Sequence, residues 1–113
     1  MKLEQLIYDQ FLFVQCPLEI GNGWYELVYK MCVEIDDLYE ENIGKISILQ
    51  IKEKYGIMRI VASTSNKELD DIIEKYEQLS KSTCEICGAE GKLIKDVYWI
   101  KVRCEDCLWK LNL

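Results

Sequence analysis

Four of the six cysteines in this 113-residue chain occur as two Cys-x-x-Cys pairs near its end. The first pair is followed directly by Gly88, and the second pair begins 20 residues after the first. A two-residue gap lets both sulfurs of a pair converge on one metal ion, and the glycine permits the tight turn that directs backbone amides at sulfur. We therefore predict one bound zinc ion with four thiolate ligands, which are Cys84, Cys87, Cys104 and Cys107.

The ligand types indicate a structural rather than a catalytic ion. Catalytic zinc keeps an open coordination position and usually has histidine or carboxylate among three protein ligands. This chain contains no histidine, and four thiolates would fill the coordination sphere. The alternative is that the cysteines are free thiols or that one pair is redox-active. In that case the matching spacing of the second pair would be a coincidence. No catalytic machinery is visible, and we predict that the protein is not an enzyme.

Three other segments could carry chemistry, and each has a simpler interpretation. Cys32 falls on an apolar helical stripe and is predicted to be a small core residue. Cys16 precedes a proline and is predicted to be partly exposed, with no basic neighbour in sequence to lower its thiol pKa. Glycines at 21 and 23 precede a helix, as in phosphate-binding loops. The loop lacks a preceding strand and the full glycine fingerprint, so a helix cap with Trp24 in the core is the better interpretation.

Basic residues interleaved with aromatic residues fall on two predicted hairpins, a pattern typical of nucleic-acid surfaces and also of ordinary solvated strands. The candidate contact residues for nucleic acid or a partner are Lys52, Lys54, Arg59, Lys95, Trp99, Lys101 and Arg103. The net charge of −6 disfavours non-specific binding to a phosphate backbone, although it leaves room for a local basic patch.

Hydrophobic periodicity predicts the elements that position these residues. We expect a helix over 2–14 that ends before Pro17, and a second helix that starts near Trp24 and ends near 42–44. Two β-rich stretches at 45–50 and 57–62 predict a hairpin, whose imperfect alternation suggests a bulge. The segment 65–68 matches a capping box, and the helix that follows runs to about residue 81. A second hairpin between the cysteine pairs would bring both pairs to one end.

The predicted fold class is α+β, with helices packed on a small antiparallel hairpin sheet and a four-cysteine module after it. We expect a core over residues 1–83 and a zinc-binding module over residues 84–113, packed together as one unit. Some thirty residues bury too little apolar surface to fold alone, and a metal ion would offset that deficit. The module could be a zinc ribbon or resemble a treble clef, and the sequence does not choose between them.

The order of motifs resembles a recurrent family of small bacteriophage and prophage proteins. The resemblance covers roughly residues 20–107 and rests on Gly-x-Gly-Trp before a helix with an internal cysteine, then Lys-Glu-Lys-Tyr-Gly at 52–56, then Cys-x-x-Cys-Gly. Members tend to have an aspartate between the glycines and a cysteine before them, where this chain has Asn22 and Ile20. The resemblance implies a mobile-element origin and a bacterial cytoplasm, but no known activity.

Two functions from different classes are compatible with these features. The first is a protein that binds a host protein, in the form of an inhibitor of a host defence system such as an anti-CRISPR protein. The second is a nucleic-acid-binding accessory module in phage transcription or replication. No run of about 18 apolar residues is present, so we expect no membrane span. The N-terminus lacks the pattern of a secretory signal, so we expect a cytoplasmic protein.

Overall fold

The computed structural model describes residues 2–41, 45–95 and 100–108. In chain order the helices and strands are α1 Leu3–Gln10, β1 Leu18–Glu19, α2 Tyr25–Glu41, β2 Ile48–Lys54, β3 Ile57–Ala62, α3 Lys67–Ser80, β4 Lys92–Lys95 and β5 Ile100–Arg103, with 3₁₀ turns at Asn22–Trp24 and Glu105–Cys107. The protein is therefore mixed α+β, which confirms the predicted fold class. Among the described residues, none of the helices has the length and apolar character needed to span a bilayer.

The first helix is shorter than its hydrophobic spacing predicts. α1 ends at Gln10, and a turn follows in which the Val14 N–H donates to the Phe11 carbonyl at 3.1 Å. Val14 then bridges Ile48 of β2 in parallel. Phe11 and Phe13 are both buried, 1% exposed each, with ring centroids 5.6 Å apart. Phe11 and Val14 continue the helical spacing by coincidence, and their burial in the turn and bridge after α1 outweighs helix continuation.

The main sheet has three strands in the order β1-β2-β3. β2 and β3 form the predicted antiparallel hairpin, with the expected irregularity between Ile48 and Gln50. β2 extends to Lys54, so residues predicted as a polar connection are in fact strand, and the turn is only Tyr55-Gly56. The short parallel strand β1, which pairs Leu18 with Ile51, has no sequence signal long enough to predict it.

Helix α3 begins one residue later than the capping-box pattern suggests. The N-cap is Asn66, whose Oδ1 accepts hydrogen bonds from the N–H groups of Glu68 at 2.9 Å and Leu69 at 3.2 Å. Ser65 instead donates to Asp70 at 2.9 Å. Asparagine is as good an N-cap as serine, and here its side chain satisfies two of the N–H groups that begin the helix.

One hydrophobic core joins the helices to the sheet. α2 packs against both α1 and α3, and α3 lies along β3. The predicted stripe of α2 is buried at its centre, with Val28, Met31, Cys32 and Ile35 at 0% exposure. Val102 of β5 belongs to the same core and is also fully buried, so the second hairpin contributes to it.

The second hairpin, β4 with β5, sits against the turn of the first. Lys101 of β5 forms an ion pair with Glu53 of β2 at 2.8 Å, and both side chains are about four-fifths buried. Glu53 also accepts the Gly56 N–H at 2.7 Å. Gly56 has a φ of 78°, and a Cβ there would lie 2.7 Å from Leu93 Cδ1. The two hairpins therefore meet at a close and partly charged contact that positions the second cysteine pair.

Candidate metal centre

The structure brings the four predicted ligand cysteines together at one end of the second hairpin. The sulfurs of Cys84, Cys87, Cys104 and Cys107 all lie within 4.8 Å of one another. The Cys87 and Cys104 sulfurs are 3.5 Å apart, close to the spacing of about 3.8 Å expected between thiolates around a tetrahedral zinc ion. The four residues could therefore hold one metal ion between them.

Burial of the four sulfurs is uneven. Cys84 and Cys107 are buried, Cys104 is intermediate, and Cys87 is exposed. Protein would cover a metal ion held here on the side of Cys84 and Cys107. The side of Cys87 would be open to solvent, so the ion would enter from there. This is a closed set of soft ligands at the edge of the fold, with no histidine anywhere in the chain to replace a thiolate.

The thiols differ in how easily they ionise. Burial opposes ionisation of Cys84, but backbone N–H groups of Cys87, Cys104 and Ile86 direct their dipoles at its sulfur and hold its pKa at about 6. Burial together with the neighbouring thiols raises the pKa of Cys107 to about 12. Metal binding requires all four to be thiolates. The backbone around Cys84 therefore already favours the charged form that a metal needs.

Backbone hydrogen bonds fold the first cysteine pair into a knuckle. The Gly88 N–H donates to the Cys84 carbonyl at 2.9 Å, and the Cys84 N–H donates to the Ala89 carbonyl at 2.8 Å. Gly88 has a φ of 83°, a conformation that L side chains rarely adopt. The Glu85 N–H donates to the Val102 carbonyl of β5 at 3.1 Å. The knuckle is thus tied to the strand that leads to the second cysteine pair.

The knuckle packs on the loop over residues 21–24 that precedes α2, which we call the glycine loop. The Gly23 N–H donates to the Glu85 carbonyl at 2.8 Å, and Trp24 Nε1 donates to the Thr83 carbonyl at 2.8 Å. The sequence interpretation of Trp24 as a core residue is confirmed, since it is 0% exposed. The interpretation of the loop as a helix cap did not include its contact with the knuckle. The signal available in sequence was the pair of glycines two residues apart, which leaves backbone exposed for close contact.

Glu85, inside the first Cys-x-x-Cys, is a functional residue that sequence reasoning did not single out. Its side chain is 2% exposed, and one carboxylate oxygen accepts the Gly21 N–H at 3.1 Å. Burial raises its pKa, while the Gly21 N–H and the positive charges of Lys101 and Arg103 oppose that rise. Glu85 therefore joins the glycine loop, the knuckle and β5 in one polar contact beside the cysteines.

The candidate basic residues do not form one surface. Arg103 is buried, with 5% exposure, and Lys101 is paired with Glu53. Lys52 and Arg59 are directly opposite each other on β2 and β3, and Lys54 is exposed at the end of β2. Lys95 is exposed at the end of β4, and Trp99 lies outside the described residues. Among the described candidates, Lys54, Arg59 and Lys95 are thus exposed and Lys52 is half-buried, so most of the exposed basic side chains lie on the first hairpin.

The remaining two cysteines are core residues. Cys32 is 0% exposed, as predicted, and burial raises its pKa to about 12. The prediction that Cys16 is partly exposed is wrong, because it is 8% exposed and burial raises its pKa as well. The chain before Cys16 pairs with β2, where the Gln15 N–H donates to the Ile48 carbonyl at 3.1 Å, and this places Cys16 against the sheet beside Ile51.

Comparison of the chain with models of protein families, with curated proteins and with solved structures finds no match. The geometry of the site and the residues around it therefore carry the functional argument.

Proposed function

We propose that the four cysteines hold one structural zinc ion. The observation that carries this proposal is the convergence of four sulfurs within 4.8 Å on a knuckle whose backbone is hydrogen-bonded to the core. Four thiolates in two Cys-x-x-Cys pairs suit zinc, and they leave no coordination position for a substrate or water. Because the ligand set is closed, the ion supplies folding energy rather than chemistry.

The protein then acts by binding another protein, and it is not an enzyme. The zinc centre joins a knuckle that is hydrogen-bonded to β5 and to the loop before α2, which gives a small domain a rigid surface. A net charge of −6 suits a partner with a basic surface, because complementary potentials steer association and favour that partner over others. The narrower form of the proposal is an inhibitor of a host defence system, such as an anti-CRISPR protein, in a bacterial cytoplasm. It is supported by the phage-like order of motifs and by the acidic net charge of the chain. Carboxylates can occupy a nucleic-acid-binding channel at the positions where phosphates would lie.

The metal is tested by elemental analysis of the purified protein, and the partner by affinity capture. Zinc at one equivalent per chain supports the structural site, and its absence after purification in zinc-containing buffer contradicts it. Tagged protein is then incubated with bacterial lysate, with and without nuclease treatment. A stoichiometric protein that survives nuclease supports the binding function. Unchanged cleavage by a purified CRISPR effector at saturating protein would exclude the narrower form for that effector.

Nucleic-acid binding is the second candidate, and the pair Lys52 and Arg59 favours it. Like charges directly opposite each other on neighbouring strands are destabilising, so a phosphate between them would offset a local cost. A module of this kind would bind DNA or RNA with an affinity that falls steeply with salt, because counterions are released on binding. Fluorescence anisotropy with labelled single-stranded and duplex oligonucleotides over a salt series tests it. Recovery of nucleic acid alone from lysate would favour it over the protein-binding function.

A further inference from the structure

The outer edge of β3 is covered by α3 along only part of its length. The Met58 N–H donates to Ser80 Oγ at 3.0 Å, and the Ile60 N–H donates to Glu77 Oε2 at 3.0 Å. Side chains of α3 therefore take the place of a neighbouring strand at these two residues. Since backbone groups alternate along a strand, the N–H and carbonyl of Ala62 face the same outer side.

A groove of about 490 Å³ lies between this end of β3 and α3. Its lining is partly apolar, through Ile60, Val61, Ala62 and Ile73, and partly polar, through the hydroxyl side chains at 63–65. Val61 is 47% exposed. The volume is in the range of known binding clefts, and it adjoins a strand edge that can pair with another chain.

The helix side of the groove is acidic. Asp70, Glu74 and Glu77 line it at helical spacing, and none of the described residues lining the groove is basic. Two of these carboxylates are held in place, because Asp70 accepts from Ser65 and Glu77 accepts from the Ile60 N–H. A positively charged side chain that enters the groove would meet fixed negative charge beside the apolar side chains of β3.

We propose that this groove binds an extended segment of a partner protein that carries lysine or arginine side chains. The segment adds to the outer edge of β3 near Ala62, where its backbone pairs with the strand and its cationic side chains face α3. This inference rests on the proposed function as a protein-binding molecule and names the chemistry of the partner.

A second copy of this chain is a poorer occupant than a basic partner. Each copy carries a net charge of −6, so two copies that meet at acidic walls repel each other. Symmetrical pairing of two β3 edges would also place the carboxylates of both α3 helices close together. Complementary charge is what distinguishes a basic segment from the other chains that could pair with a strand edge.

The experiment uses the full zinc-containing chain and a fluorescein-labelled hexapeptide of alternating valine and lysine, with the valine–glutamate peptide as comparison. We expect the anisotropy of the valine–lysine peptide to rise to saturation as protein is added, and that of the valine–glutamate peptide to stay unchanged. The Ala62 amide resonance should shift in a ¹⁵N-edited NMR spectrum when the valine–lysine peptide binds. Glu74→Lys should weaken binding about tenfold, because it reverses a charge in the groove. Asp71→Lys is the matched control on the exposed side of α3 and should stay within about twofold of the parent.

Several results would overturn this inference. They are equal binding of the two peptides, equal affinity of the Glu74→Lys and Asp71→Lys variants, or resonance shifts at Lys52 and Arg59 instead of Ala62. Dimerisation through β3, detected by sedimentation equilibrium and abolished by Glu74→Lys, would assign the groove to a second copy. If Glu74→Lys still captures the same lysate protein as the parent, the protein-binding function stands and the groove is not its site.

Discussion

Gly23 lies between two parts of the chain that are distant in sequence. A Cβ at this position would be 2.2 Å from the Cys84 carbonyl oxygen and 2.6 Å from the Gly88 nitrogen. Both are backbone atoms of the knuckle, so they cannot move aside as a flexible side chain could. The requirement for glycine therefore comes from close approach to the metal centre, and the helix that follows does not impose it.

Gly23→Ala should destabilise the protein and weaken its hold on zinc. Forcing a methyl group into packed backbone costs about 1–3 kcal/mol, and here the cost falls on the knuckle. Chemical denaturation and competition with a chromogenic zinc chelator measure the two effects. Asn22→Ala, in the same loop with an exposed side chain, is the control and should resemble the parent. Parent-like stability and zinc affinity in Gly23→Ala would contradict the docking of loop on knuckle.

Cys104→Ser should lose zinc, because removing one of four thiolates leaves three and a weak oxygen ligand. Structural zinc contributes folding free energy, so the melting temperature should fall as well. Cys32→Ala is the matched control, since Cys32 is a buried cysteine outside the cluster. It should keep one zinc per chain by elemental analysis and lose only packing energy. A Cys104→Ser variant with full metal content and the parent's melting temperature would refute the four-thiolate site.

At the scale of elements, β3 is an edge strand that α3 protects with polar side chains. Ser80 is 0% exposed and accepts the Met58 N–H, while its own hydroxyl donates to the Glu77 carbonyl at 2.6 Å. Ser80→Ala leaves the buried Met58 N–H without an acceptor and should cost about 1–3 kcal/mol in urea denaturation. Ser82→Ala removes an exposed hydroxyl two residues later and should change stability by less than about 0.5 kcal/mol. Equal effects of the two substitutions would contradict this role.

A second contact joins α2 to α3 and predicts a pH dependence. Lys75 and Tyr76 both donate to Glu34, and these bonds lower the Glu34 pKa below its ordinary value of 4.5. The unfolded chain binds the proton more readily, so this stabilisation is present above pH 4.5 and is lost as the pH falls through the folded-state pKa.

Glu34→Gln should therefore lower the free energy of unfolding at pH 7 by about 0.5–1 kcal/mol, a modest value because the pair is partly solvated. The difference from the parent should shrink as the pH falls below 4.5 and through the folded-state pKa, because Glu34 then becomes neutral in both the unfolded and the folded chain. Urea denaturation at pH 7, 5, 4 and 3 measures it. Glu40→Gln, on the exposed face of α2, should show no such convergence. A constant difference at every pH would contradict the link to Glu34 ionisation.

Long periodic segments were predictable from sequence, and short or register-dependent ones were not. The stripe of α2 reports its buried face directly, because each apolar residue recurs at the helical period. β1 is two residues long and gains its place by parallel pairing with β2, a contact that no local pattern encodes. The end of α1 was missed because Phe11 and Val14 keep the helical spacing although they lie in the turn and bridge that follow the helix. The predicted end of α2 near 42–44 and the turn of the second hairpin lie outside the described residues.

At the scale of the whole molecule, the spacing of the cysteines predicted the metal ligands but not the residues that pack around them. The two Cys-x-x-Cys pairs identify four ligands because the ligands of each pair are sequence neighbours. The contacts of Glu85 with Gly21 and Gly23 were missed because Glu85 lies 64 residues after Gly21 and 62 after Gly23. Contacts at that separation depend on how the hairpins and α2 pack, which no periodicity shows.

Removal of zinc should therefore weaken more than the cysteine module. Without the ion, residues 84–108 lose their constraint. The Gly23 N–H and the Trp24 indole N–H then lose fixed positions for their acceptors, the carbonyls of Glu85 and Thr83. We expect chelation to lower protection from hydrogen exchange both around the cysteines and at the start of α2, and excess zinc to restore it. Exchange confined to the cysteine module, with α2 unchanged after chelation, would show that the two parts are energetically independent.

The contact between the glycine loop and the knuckle also affects how this protein can diverge or be re-engineered. Many small zinc modules can be moved between proteins, because their ligands lie on one continuous stretch of chain. Here the stretch over 84–108 is supported by the backbone N–H groups of Gly21 and Gly23 and by the indole of Trp24, so grafting it elsewhere would transfer the ligands without their support. Homologous chains should accordingly keep or lose the paired glycines and the cysteines together, which makes their joint presence a search criterion for related proteins.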